Sequence, residues 1–241
     1  MKIAILSDIH GNIKAFSSVV ESINDNGVER IILLGDIIDY GPHSNQVIEM
    51  IQALSIPIIC NIWGNHECAI MHQEYERFSS ERGKNSARYT RNQLSENSLS
   101  YINNEMINQG ICEFFIDNLK CLAVHGSIQD NYWKAIGNSD DFSDYEAFDY
   151  VFSGHSHLPH FFEVYYKADA PEMRNKKKTV FINPGSVGQP RNHCPLSQYA
   201  ILNTKTGEIS MIRTEYDIQK EQKGFSSEVD AFYKERLTKG I

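Results

Sequence analysis

Short apolar runs, each stopped by a glycine or a turn-forming residue, recur along this 241-residue chain. The run KIAILS (2–7) is apolar and partly β-branched, as a strand covered on both faces should be. The apolar positions after it, Ile13, Phe16, Val20 and Ile23, fall at helical spacing. The pattern returns with RIILLG (30–35), a loop from Asp36 to Pro42, helical positions Val47, Ile48, Ile51 and Leu54, and IPIIC (56–60). Such alternation predicts parallel βαβ units in the first third of the chain. From about 72 to 108 the residues are polar and helix-compatible, which predicts two helices that cap or flank the rest. ICEFFI and KCLAVHG then flank Asp117-Asn118, a hairpin-turn signal. Further strands are expected at 150–153, 160–165, 179–182, 198–203 and 208–214, and one amphipathic helix from about 217 to 237. Together these elements predict an α/β fold of two packed sheets covered by helices, in a single domain over 1–241.

Composition narrows the function classes. Hydrophobic residues make up 41% and charged residues 22%, the balance of an ordinary globule rather than of a disordered or membrane chain. A net charge of -8 argues against a broad nucleic-acid-binding face, which would need lysine and arginine against phosphates. The one basic cluster, in KADAPEMRNKKKT (167–179), lies between two strand-like runs and reads as a solvated, flexible hairpin excursion. Five cysteines with no CxxC pair suggest neither a disulfide framework nor a zinc ribbon, and fit a reduced compartment. No stretch approaches the roughly 18–20 apolar residues of a membrane span, and the amino terminus turns polar early for a signal peptide. A soluble, cytoplasmic protein without membrane partners is therefore expected.

The residues that end the apolar runs carry the candidate chemistry. SDIHGN supplies Asp8 and His10, LLGDIIDYG supplies Asp36 and Asp39, and IWGNHE supplies Asn65, His66 and Glu67. AVHGS adds His125, and FSGHSH adds His155 and His157, which alternate and so can face one point. Singly, each has a plain structural explanation: a helix cap, a turn former, a strand-end histidine. Jointly, five glycine-punctuated strand ends closing in oxygen or imidazole donors point to a site built on the carboxyl ends of strands. Carboxylate, amide oxygen and imidazole without thiolate suit manganese, iron or zinc better than a structural zinc knot does. So many donors exceed one tetrahedral ion and suit two ions about 3.5–4 Å apart bridged by a carboxylate.

SDIHGN, GDIIDYG, GNHE, VHG and GHSH resemble the five motifs of the calcineurin-like metallophosphoesterase superfamily, over residues 7 to 157. NPGSVGQPR (183–191) resembles a segment of its bacterial branch of diadenosine-tetraphosphatase-like and other small phosphodiesterases. The resemblance implies a four-layer α/β/β/α sandwich of two packed mixed sheets. It also implies a hydrolase that uses two divalent metal ions, manganese first, with iron, zinc, nickel, magnesium or cobalt as alternatives. Asp8, His10 and His157 would hold one ion, Asn65, His125 and His155 the other, with Asp36 between them. His66 would be the general acid to the leaving group, oriented by Asp39, while a metal-activated water attacks phosphorus.

Two departures bear on the substrate. Protein serine/threonine phosphatases of this superfamily carry arginine after the second aspartate of GDxxD and another just before GNHE. Here Tyr40 and Trp63 stand there, which removes two guanidinium forks suited to a phosphate dianion. Small phosphodiesters, nucleotides or dinucleoside polyphosphates are then favoured as substrates, with Arg191 the candidate phosphate contact. Tyr40, Trp63 and Trp133 are a possible aromatic wall for a base, although strand-end aromatics more often serve the core. Protein phosphatase and non-catalytic scaffold stay open as alternatives.

Overall fold

Alternation along the strands decides which layers form. In the first strand, β1 (Lys2–Leu6), Ile3 and Ile5 face one way, and Ala4 and Leu6 the other. Both sets are buried because the sheet is covered twice. The computed structural model describes residues 1–167 and 169–241. Ala168, inside the basic excursion expected at 167–179, lies outside the described residues.

One five-stranded sheet has the order β10-β9-β1-β2-β3, using β2 (Arg30–Leu33), β3 (Ile58–Asn61), β9 (Ser197–Asn203) and β10 (Glu208–Thr214). The other has the order β4-β5-β6-β8-β7, using β4 (Ile111–Ile116), β5 (Leu119–Val124), β6 (Tyr150–Ser153), β7 (His160–Tyr165) and β8 (Lys178–Asn183). β1, β2 and β3 run parallel, as the βαβ pattern predicts, and so do β5, β6 and β8. Both sheets are mixed. Asp117 and Asn118 form the two-residue turn between β4 and β5, with Asp117 at φ 53°, the left-handed conformation that such turns require. β7 and β8 pair antiparallel, so the basic excursion closes a hairpin, and Pro171–Lys176 are exposed.

Ile3, Ile5, Ile32 and Leu34 of the first sheet pack on Cys121, Ala123, Phe152 and Ile182 of the second. That seam is the middle of the molecule. On the outer side of the first sheet, Leu6, Ile31 and Leu33 meet Phe16 and Val19 of α1 (Ile13–Asp25) and Val47 and Ile48 of α2 (Ser44–Gln52). On the outer side of the second, Leu122, Val151 and Phe181 are covered by Ile136, Tyr145 and Phe148. Seven α-helices among the described residues flank the sheets, giving the α/β sandwich expected.

Helix α3 (Asn65–His72) starts inside the GNHE motif and was not expected. The 72–108 region contains the two helices foreseen there, α4 (Glu81–Gln93) and α5 (Glu96–Glu105). The single helix expected over 217–237 is instead two short ones, α6 (Ile218–Gln222) and α7 (Ala231–Glu235), followed by a 3-10 turn over 236–238. Periodicity alone misled here, because the stretch holds two helix starts. Asp217 caps the N–H of Lys220 and Asp230 that of Phe232, while Gly224 and two serines part them. Among the described residues no helix is long and apolar enough to cross a membrane, and all five cysteines are free.

Candidate metal centre

All the expected donors leave the sheets at the carboxyl ends of parallel strands β1, β2, β3, β5 and β6. Their loops are held in a conformation that L-residues avoid. Asp8, His10, Asp36, Asp39, Tyr40, His155 and His157 have φ of 55°, 49°, 52°, 71°, 60°, 65° and 59°. Left-handed backbone costs about 1–2 kcal/mol per residue, and strain gathered in one place marks a site that the surrounding fold enforces.

The enforcement is visible in the hydrogen bonds. Asp8, His10 and Gly11 donate their N–H groups to the carbonyls of Gly35, Asp36 and Ile37 at 3.1, 2.9 and 3.0 Å, which ties the first loop to the second. Glu67, fully buried on the first turn of α3, ties the second loop to the third. Its carboxylate accepts the N–H groups of Asp36, Ile37, Ile38 and Gly64 at 2.8, 2.9, 3.2 and 2.7 Å. Burial and the neighbouring Asp36 charge push the Glu67 carboxyl up to about 7, against the four N–H groups that favour its ionised form. Glu67→Ala would strand those donors in the interior. We expect a loss of about 3–5 kcal/mol, read as a lower denaturation midpoint, as when one side of a buried charged network is removed.

Two glycines admit the close approaches. A Cβ on Gly64 would lie 2.1 Å from Asp36 Oδ1, and one on Gly154 would lie 2.1 Å from Ser7 Oγ.

The side chains then converge. His10, His125 and His157 each donate Nδ1–H to a backbone carbonyl, of Ile38 at 3.2 Å, Leu34 at 2.7 Å and Gln189 at 2.6 Å. Each Nε2 is thereby turned inward. Burial, with His66 beside one and Arg191 beside the other, holds His10 and His157 below the ordinary histidine range, which favours the neutral rings. Their Nε2 lone pairs nevertheless face each other at 3.3 Å, and Asp8 Oδ1 is 3.1 Å from His157 Nε2 with no hydrogen-bond partner of its own. Three acceptors aimed at one spot repel one another unless a cation lies among them.

A second group repeats this. His125 Nε2 and His155 Nδ1 approach Asn65 Oδ1 at 3.0 and 2.8 Å, and Asp36 Oδ2 is 3.3 Å from His125 Nε2. The same Asp36 oxygen is 3.7 Å from His10 Nε2, so one carboxylate reaches both groups. Although burial opposes it, the Asp36 charge lifts His125 up to about 9. A proton there and a cation between these atoms answer the same demand of the Asp36 charge. The ligand-type atoms of Asp8, His10 and His157 lie within 4.8 Å of one another, as do those of Asp36, His125 and His155. The donor set therefore fits divalent metal, and these residues can hold it.

His66 stands beside the centre, within 4.8 Å of the ligand-type atoms of His10 and Asp36 but outside the two groups that Asp36 joins. Its Nδ1–H donates to Asp39 Oδ2 at 2.7 Å and its Nε2 is 3.9 Å from Asp36 Oδ2. Burial works against the charged ring, but Asp36 and Asp39 outweigh it and raise His66 above its ordinary range. Over this face opens a cavity of about 350 Å³, lined by Asn65, His66, His155 and His157 below and by Tyr40, Phe78, Trp133, Arg77 and Arg191 above. Arg77 lies over the Trp133 ring at 5.1 Å. Trp63, by contrast, is core: it is buried and donates its indole N–H to Ile102 O at 2.8 Å. Arg77 and Phe78 carry no motif and were not foreseen. The NPGSVGQPR loop does more than present Arg191. Ser186 Oγ donates to Asp8 O at 2.7 Å, Val187 and Gly188 donate to Ser7 and Asp8 carbonyls, and Gln189 O holds the His157 ring.

Two mixed sheets with carboxylates and imidazoles gathered at their strand ends make a centre that can hold divalent metal. The chain belongs to the calcineurin-like phosphoesterase superfamily, whose domain matches residues 1–207. An uncharacterized protein of Methanocaldococcus jannaschii is 30% identical over 235 residues, covering 90% of this chain and 89% of that one. Among solved structures, a metallophosphoesterase from Sphaerobacter thermophilus is 26% identical with a TM-score of 0.73, covering 100% of this chain and 99% of its own. A hypothetical protein from Pyrococcus horikoshii is 20% identical with a TM-score of 0.79, covering 100% and 98%.

Proposed function

We propose that this phosphoesterase hydrolyses small phosphodiesters or nucleotide phosphates, dinucleoside polyphosphates among them, with two divalent ions, manganese being the best candidate. The observation that carries it is the pair of inward-facing acceptor groups joined by Asp36. Asp8, His10 and His157 would hold one ion and Asn65, His125 and His155 the other. When bound, such ions neutralise phosphoryl oxygens and lower the pKa of water into the neutral range. The chain's own part is to present and exclude. Asp39 accepts the His66 Nδ1–H and, with Asp36, favours the doubly protonated ring, whose Nε2–H is the proton offered to the departing oxygen. Arg191 lines the cavity beside His157 and is placed to take a phosphoryl oxygen. Tyr40, Phe78 and Trp133 offer flat apolar surface to a base or aryl group.

The cavity is at the small end of ligand sites and is walled by aromatics, which favours a compact substrate over a phosphorylated loop of another protein. Every donor is present, which favours an enzyme over a scaffold on the same fold. Free thiols throughout fit a cytoplasmic setting. The manganese-loaded protein would be compared on bis-p-nitrophenyl phosphate, cyclic nucleotides, diadenosine tetraphosphate and a phosphopeptide panel. We expect the small esters to exceed the peptides at least about tenfold in kcat/KM. A preference for peptides would make it a protein phosphatase. No hydrolysis in any of several metals would make it a scaffold.

A further inference from the structure

Helix α4 has an unusual buried face. Its sequence, ERGKNSARYTRNQ, is strongly polar, and its buried residues are Gly83, Ser86, Ala87 and Thr90, with no large apolar side chain among them. Such a stripe contributes little to hydrophobic cohesion, yet it is pressed against the site. Ser86 and Thr90 stand four residues apart on one face, and both hydroxyls donate to the same atom, Asp39 Oδ1, at 2.7 Å each. Ser and Thr hydroxyls inside a helix ordinarily bond back to its own carbonyls. These two reach across 47 and 51 residues of sequence to a fully buried carboxylate whose other oxygen holds His66 Nδ1–H at 2.7 Å. Asp39 is thus held by three donors, two of them from the 72–108 region.

We propose that Ser86 and Thr90 are positioning residues for proton delivery. They fix the Asp39 carboxylate in the one rotation that aims His66 Nε2 at the leaving oxygen, which makes α4 part of the catalytic apparatus. This rests on the His66 role given above. No bond is made or broken by either hydroxyl, and the only proton that moves is the one on His66 Nε2.

An aligned acid matters most where the leaving group is a poor one. An alkoxide needs a proton as it departs, whereas p-nitrophenolate leaves without it. The manganese-loaded Ser86→Ala/Thr90→Val variant should lose about 30-fold in kcat on an alkyl phosphodiester and less than about fivefold on bis-p-nitrophenyl phosphate, with KM and metal content unchanged. Thr90→Ser keeps the hydroxyl and should retain nearly full activity on both. A second measurement needs no turnover. The His66 Nδ1 proton, bonded to Asp39, should give a downfield proton resonance in the wild type, identified by its loss in His66→Asn, and should shift or broaden in the double variant.

Equal losses on the two esters, no loss on either, an unmoved Nδ1 resonance, or Thr90→Ser as impaired as the double variant would each overturn the proposal. A wild type that hydrolyses neither ester while showing the hydroxyl-dependent resonance would overturn the phosphoesterase function alone, because the resonance reads the alignment directly.

Discussion

Asp36→Asn is expected to strip divalent metal from the purified protein and to lower turnover on the order of 10³-fold, about 4 kcal/mol of transition-state stabilisation. The size follows from its place. Asp36 Oδ2 lies 3.7 Å from His10 Nε2 and 3.3 Å from His125 Nε2, so this single carboxylate faces both acceptor groups. Asparagine keeps the shape and removes the charge. Without that charge the inward-facing lone pairs of four imidazoles and one amide have only Asp8 to offset a doubly charged ion. His66 N–H, which donates to Asp36 Oδ1 at 2.8 Å, keeps an acceptor, so the fold should survive. Elemental analysis reads the loss directly. Metal retained at wild-type stoichiometry would remove Asp36 from the role of shared ligand.

His66→Asn is expected to behave in the opposite way. Metal content should stay at the wild-type level, because the ring belongs to neither of the groups joined by Asp36, while kcat on an alkyl phosphodiester falls about 10²–10⁴-fold, the range for a lost general acid. Asparagine preserves a donor toward Asp39 and so spares the buried carboxylate. The paired measurement separates the two residues: metal loss in both variants to the same degree would contradict the division between holding ions and delivering a proton.

Much of this site was legible in the sequence because its signals are local. A run such as RIILLG stopping at Asp36, or YVFSG stopping at His155 and His157, shows the strand, the break and the donor within ten residues. The strands at 2–7, 111–116, 160–165 and 208–214 were legible for the same reason, since alternation and turn residues act over short range. What was not legible depends on distant partners or on backbone atoms. Glu67 read as one more donor at a strand end, yet it accepts four N–H groups from two loops. Main-chain acceptors such as Ile38 O, Leu34 O and Gln189 O orient the histidines but leave no trace in residue type. Ser86 and Thr90 resembled filler in a polar helix. Trp63, flagged for the cavity, belongs to the core because its indole finds Ile102 O. The helix expected over 217–237 broke where Asp230 caps a second start, a competition between local signals that periodicity does not weigh.

The donors are divided between the two sheets: Asp8, His10, Asp36 and Asn65 follow strands of the first, and His125, His155 and His157 follow strands of the second. Neither of the two groups joined by Asp36 is complete within one sheet. An ion held by either group would be a rivet through the joint between the layers, adding to the apolar seam and to hydrogen bonds across it such as His125 Nδ1–H to Leu34 O. Chelators should therefore loosen the cohesion of the whole molecule as well as silence its chemistry, and metal supply becomes a condition of the protein's endurance.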